Sequence, residues 1–162
     1  MGQTGVSPSS NIRDRLLVAL QTAERDEPES TRARTLRLVK CAMRDRDVTA
    51  RTMGKCEGCE ETEIRTLLET MVAQREISAR EYDEAGRVSD AEREREEMDI
   101  IQTFLPKALS GEALEQAVSK VVEDLDAHKL KDMGRCMAEL QSRYPGRIDT
   151  GSAGKAVRRA LV

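Results

Sequence analysis

Apolar residues recur along the chain at intervals of three and four, the spacing that lines up side chains on one face of a helix. Ile12, Leu16 and Leu20 begin the pattern and predict a first helix over about 11–26, with Asn11 as its cap and Pro28 closing the segment. Leu36, Val39 and Met43 mark a second helix that starts near Ser30. The stretch Thr49 to Glu61 carries Gly54, Gly58, Cys56 and Cys59, interrupts the stripe and reads as a loop. From Thr62 the pattern is at its strongest: Ile64, Leu67, Leu68, Met71, Val72, Arg75, Ala79 and Tyr82 share a face. Arg75 is the polar member of that stripe, and its stem is long enough to carry the charge to water. Gly86 is placed to end the helix in the left-handed conformation.

Ser89 and Glu92 form the S-x-x-E pattern of a capping box for a fourth helix, striped by Met98, Ile101 and Leu105 with Phe104 alongside. Pro106 stops it, because proline lacks the backbone donor that would continue the ladder. Ser110 then caps a helix bearing Leu114, Ala117, Val118, Val121 and Leu125. Asp132 opens another with Met133, Met137 and Leu140 inward, which ends at Tyr144-Pro145-Gly146. The last helix starts at Asp149 or Thr150 and is striped by Ala153, Val157 and Leu161. The fold class expected is all-α: a larger N-terminal helical bundle over 11–105 and a small C-terminal three-helix domain over 110–162. Residues 1–10 read as a flexible leader without the apolar stretch of a secretory signal.

Composition agrees with helix, since the chain of 162 residues has 2% aromatics and is rich in Ala, Leu, Glu, Arg and Met. No run of 18 apolar residues exists, so no membrane partner is expected. Four cysteines without a signal peptide point to free thiols and a cytoplasmic location. Net charge is −3, and it is unevenly spread. Residues 1–125 hold 19 basic and 26 acidic side chains, whereas 126–162 hold 8 basic against 4 acidic. A positive tail on an acidic chain points to a polyanionic partner.

Four segments occur in order: Gln74-Arg75-Glu76-Ile77-Ser78 followed by Glu81 to Arg87, Phe104-Leu105-Pro106-Lys107-Ala108-Leu109-Ser110, Lys131-Asp132-Met133-Gly134-Arg135-Cys136-Met137, and Gly146-Arg147-Ile148-Asp149. Together they resemble the GatB/YqeY family. The residues carrying the signature are Tyr82, Gly86, Arg87, Leu105, Pro106, Met133 and Gly134. Ile148 and Thr150 depart from the small residues usual in the last turn, and Lys55 to Cys59 lies outside the general pattern. The resemblance implies a helical module related to the tail of the tRNA amidotransferase subunit GatB, a region that engages tRNA. It also implies a link to carbon–nitrogen ligase activity with glutamine as amido-N-donor. The partner expected is tRNA, or a tRNA-amidotransferase or synthetase complex, with no DNA. A third class, a protein-binding adaptor using the acidic N-terminal bundle, stands beside these two.

Catalytic residues are not visible. The chain lacks the phosphate-cradling G-x-x-x-x-G-K-[ST] loop and the nucleophile elbow. His128, the one histidine, falls in a linker and reads as solvated. No cofactor is expected. Cys56 and Cys59 could supply half of a tetrahedral zinc site, completed by a second chain, or a redox dithiol, but a second pair and a strand-to-helix context are missing. They read first as a loop without chemistry. Cys41 and Cys136 fall on helices, as buried small hydrophobes. The candidate RNA contacts are therefore Lys131, Arg135, Arg147, Lys155, Arg158 and Arg159, and with Tyr144 the one aromatic on the tail they would grip backbone rather than bases.

Overall fold

The computed structural model describes residues 11–162, so the leader expected over 1–10 lies outside the described residues. Among the described residues the architecture is all helical. Seven α-helices follow one another: α1 (Ile12–Asp26), α2 (Thr31–Thr52), α3 (Glu61–Glu84), α4 (Val88–Gln102), α5 (Gly111–Asp124), α6 (Met133–Arg143) and α7 (Thr150–Leu161). A single 3-10 turn, Leu130–Asp132, leads into α6. None of these helices is long and apolar enough to cross a membrane. The helices group into two compact units that divide between Leu105 and Pro106.

In the first unit, α1 to α4 enclose a core built from Leu16, Leu20, Leu36, Val39, Ile64, Leu68, Ile101 and Phe104. Side-chain caps fix the helix starts: Asn11 Oδ1 accepts the Asp14 N–H at 2.8 Å, and Ser30 Oγ that of Ala33 at 3.1 Å. Glu61, the first residue of α3, accepts the Ile12 N–H at 3.0 Å and so ties the start of α1 to α3. Helices α3 and α4 form an antiparallel hairpin, held across its length by Arg75–Glu97 at 3.1 Å and by Arg95–Asp83. Arg75 thus ends on a carboxylate rather than in open water.

Three local expectations are corrected. Helix α2 runs on through Thr49–Thr52, because Ala50 extends the buried stripe and the Thr49 and Thr52 hydroxyls donate to their own helix's carbonyls. The loop is therefore 53–60. The Ser89–Glu92 box does not form: Gly86, at φ 71°, turns the chain so tightly that α4 already starts at Val88. Arg87 takes the cap position, and its Nε meets Asp90 at 2.8 Å. Cys41 is exposed, whereas Cys136 is buried as expected.

In the second unit α5, α6 and α7 pack around Val118, Val121, Cys136, Leu140, Ala153 and Val157. The inward face of α6 is led by Cys136 and Leu140, with Met133 and Met137 half-buried at its edge. Ser110 precedes α5 without a side-chain cap bond. Asp132 serves the 3-10 turn instead of α6, accepting the backbone N–H groups of Lys129 at 3.2 Å and His128 at 3.3 Å.

Candidate nucleic-acid interface

The second unit sets its basic residues by the way α7 is built. Asp149 caps the helix by accepting the Ser152 N–H at 2.8 Å, a bond that holds its carboxyl below the usual carboxylate range. Ala153, Ala156, Val157 and Leu161 then face the core. Their small average size lets α7 sit close to its neighbours, and Met133 Cε would lie 3.6 Å from a Cβ placed on Gly154. The opposite side of the helix carries Lys155, Arg158 and Arg159, spaced i, i+3, i+4 and all exposed. Packing of the apolar side therefore forces these three cations onto one solvent face.

Lys131 and Arg135 flank Met133, two residues before and after it, at the start of α6. Met133 meets α7 at Gly154, one turn ahead of Arg158, whereas Arg135, two residues further on, stands about 200° round α6 from that contact. Arg135 is partly neutralised by Asp132 at 3.3 Å, and Arg159 approaches Glu115 loosely at 3.8 Å. Pairs this exposed are weak and exchange readily with a ligand. Arg147 is engaged elsewhere: its Nε donates to the Lys107 carbonyl at 3.1 Å, and its own carbonyl accepts the Leu109 N–H at 2.7 Å. Arg143 is closed off between Asp124 at 2.6 Å and Glu139 at 2.7 Å. His128 is exposed in its linker, with Nε2 at 2.7 Å from Asp126. Tyr144, the one aromatic of this unit, is turned half into the core. Lys155, Arg158 and Arg159 thus share the outward side of α7, with Arg159 leaning toward Glu115 of α5; Lys131 and Arg135 stand apart at the start of α6, and Arg147 does not join them.

The residues singled out in the middle of the chain are structural. The Arg87 N–H donates to the Tyr82 carbonyl at 2.8 Å, closing the turn after α3, and its guanidinium lies 4.8 Å from the Tyr82 ring centroid. Gly86 supplies the left-handed residue that this closure needs. Leu105 packs half-buried against the first core, and Pro106 follows it at the start of the second unit. Gly134 has open space where a Cβ would be, so packing does not explain it.

The cysteine loop holds an arrangement that sequence reasoning missed. Asp47, on α2, is buried and takes Arg13 in a two-pronged ion pair, with Nη2 at 2.7 Å and Nη1 at 2.8 Å. The same carboxylate accepts the Cys59 N–H at 2.9 Å and its thiol at 3.0 Å. The Arg13 hydrogen bonds hold Asp47 well below the usual carboxylate range, against the opposing pull of burial. Burial, then the bond to Asp47, pushes the Cys59 thiol up, so it serves as a proton donor and not as a thiolate. Gly58, at φ 92°, passes so near that a Cβ there would fall 2.5 Å from Asp47 Oδ1. Cys56 is exposed and its sulfur faces the Gly54 carbonyl. Among the described residues no group of three or more His, Cys, Asp or Glu side chains could hold a metal ion. One signal was available: Asp47 stands in the buried stripe of Leu36, Val39, Met43 and Ala50, and a carboxylate there needs a cation.

A family model described as "Yqey-like protein" matches residues 12–161, which is nearly the whole chain. No curated protein matches it.

Proposed function

We propose that this chain, which belongs to the YqeY-like family, is an RNA-binding helical module of the cytoplasm whose second unit grips the ribose-phosphate backbone of tRNA, alone or within an amidotransferase or synthetase assembly. The observation that carries this reading is the outward face of α7, where Lys155, Arg158 and Arg159 stand together opposite the buried side. Lys131 and Arg135 add charge from the start of α6. Clustered, mobile cations draw a polyanion by releasing its condensed counterions, which requires neither a pocket nor a stacked base. Tyr144 is half in the core, so base stacking is not offered, and recognition rests on backbone and shape. Binding of bulk tRNA at low salt, followed by fluorescence anisotropy, tests the reading. The double variant Arg158→Glu, Arg159→Glu is expected to lose at least about tenfold in affinity. Unchanged affinity would refute it.

A further inference from the structure

Helix α2 carries seven basic side chains against two acidic ones, although it belongs to the more acidic part of the chain. Both acids are accounted for locally or isolated: Asp47 is buried against Arg13, and Asp45 is a lone exposed carboxylate. Of the cations, Arg37 pairs with Glu24 at 3.0 Å. Among the described residues that pair and the Arg13–Asp47 pair are the ion pairs α2 makes. Lys40, Arg44 and Arg51 are exposed, Arg51 making one long bond from Nε to the Cys56 carbonyl at 3.4 Å, and they fall with Arg37 within about 60° of the helix circumference, over about 21 Å of its length. Arg34 is exposed beside them.

Helix α4 provides the contrast within the same unit. It is denser in charge and mostly acidic, and its two arginines are both neutralised, Arg93 by Asp90 at 3.3 Å and Arg95 by Asp83. Unpaired like charges at successive turns repel one another, so the α2 stripe is a destabilising arrangement that an anion would relieve. The stripe has no exposed aromatic anchor of the kind protein interfaces favour, and Phe104 of this unit is buried. A ribose-phosphate chain, charged at regular intervals and gripped by flexible side chains, fits it better than a folded protein does.

We infer that α2 is a second phosphate-backbone surface, centred on Lys40, Arg44 and Arg51, that binds RNA independently of the face on α7. The inference extends the RNA-binding reading but stands on a different helix, so the two can fail separately. The test uses the full chain and bulk tRNA, with affinity measured across a salt series. The variant Lys40→Gln, Arg44→Gln, Arg51→Gln keeps helix propensity. It is expected to reduce the slope of log affinity against log salt by about 2, given 0.7–0.9 per lost phosphate contact. A charge-matched control, Arg80→Gln, Arg93→Gln and Arg95→Gln, which removes three ion-paired arginines outside α2, is expected to leave the slope in place, and circular dichroism confirms that each variant is helical. A slope and affinity equal to those of the unchanged protein in the α2 variant would overturn the inference, while loss on Arg158→Glu, Arg159→Glu would still uphold the α7 reading. Loss in the α2 variant with none in the α7 variant would uphold the inference alone. Poly-glutamate serves as the competing probe: if it binds through α2 while tRNA does not, the surface belongs to an acidic protein and the inference is overturned.

Discussion

The two units deal with charge in opposite ways. The first buries a carboxylate, Asp47, answers it with the half-buried Arg13, and hangs the 53–60 loop on the same group through Cys59. The second keeps its core apolar, with Cys136, Leu140 and Val157 wholly buried and its charged groups outside. A charge taken inside must be fully answered there, and it then fixes geometry. A charge left outside is answered by water, and it stays available to a partner. The lesson is that charge count alone says little about which cations of this chain are free.

The most severe way to break that contrast is Asp47→Ala. It strips Arg13 of its anion and leaves the buried Cys59 N–H and thiol without an acceptor, so the first unit is expected to lose about 2–3 kcal/mol. Amide hydrogen exchange, resolved by peptide, should show the loss in α1, α2 and 53–60, with α5 to α7 unchanged. Equal loss in both units would contradict the contrast.

Acid sharpens it more gently. Arg13 depresses the carboxyl of Asp47, so its contribution is fully present above the unfolded value of about 3.9 and fades as pH falls toward the depressed one. The first unit should therefore lose stability below about pH 4, and Asp47→Asn should flatten that limb of a pH–stability curve. The smallest effect belongs to the exposed face of α7. Replacing Arg158 and Arg159 with Gln should shift the stability of the second unit by no more than about 0.5 kcal/mol. A chemical melt that moved further would mean that these side chains hold the fold.

Much of the fold was legible because the helices obey a local rule. Leu16, Leu36, Leu68, Val118 and Val157 announce their faces by spacing, and Asn11, Ser30 and Asp149 their starts by side-chain chemistry. The failures lie where the deciding partner is distant or a neighbour acts first. Asp47 looks like a misplaced acid until Arg13, 34 residues away in sequence, is brought against it. Ser89 looks like a cap until the turn at Gly86 starts the helix ahead of it. For the interface, the charge balance of 126–162 singled out Lys155, Arg158 and Arg159, but it could not show Arg147 employed by the Lys107 carbonyl. The charge of α2 escaped notice for an arithmetical reason: summed with the acids of α3 and α4, its excess of cations disappears.

Arg147 works as a clasp on the segment that leads into the second unit. Its guanidinium holds the Lys107 carbonyl and its carbonyl holds the Leu109 amide, so both sides of one residue fasten 107–109 to the turn before α7. An anion that recruited the guanidinium would undo only the outer fastening, whose carbonyl water can satisfy at the surface, while the inner one would persist. The segment would then be slackened at Lys107 yet still anchored at Leu109, a graded release in place of an all-or-none one.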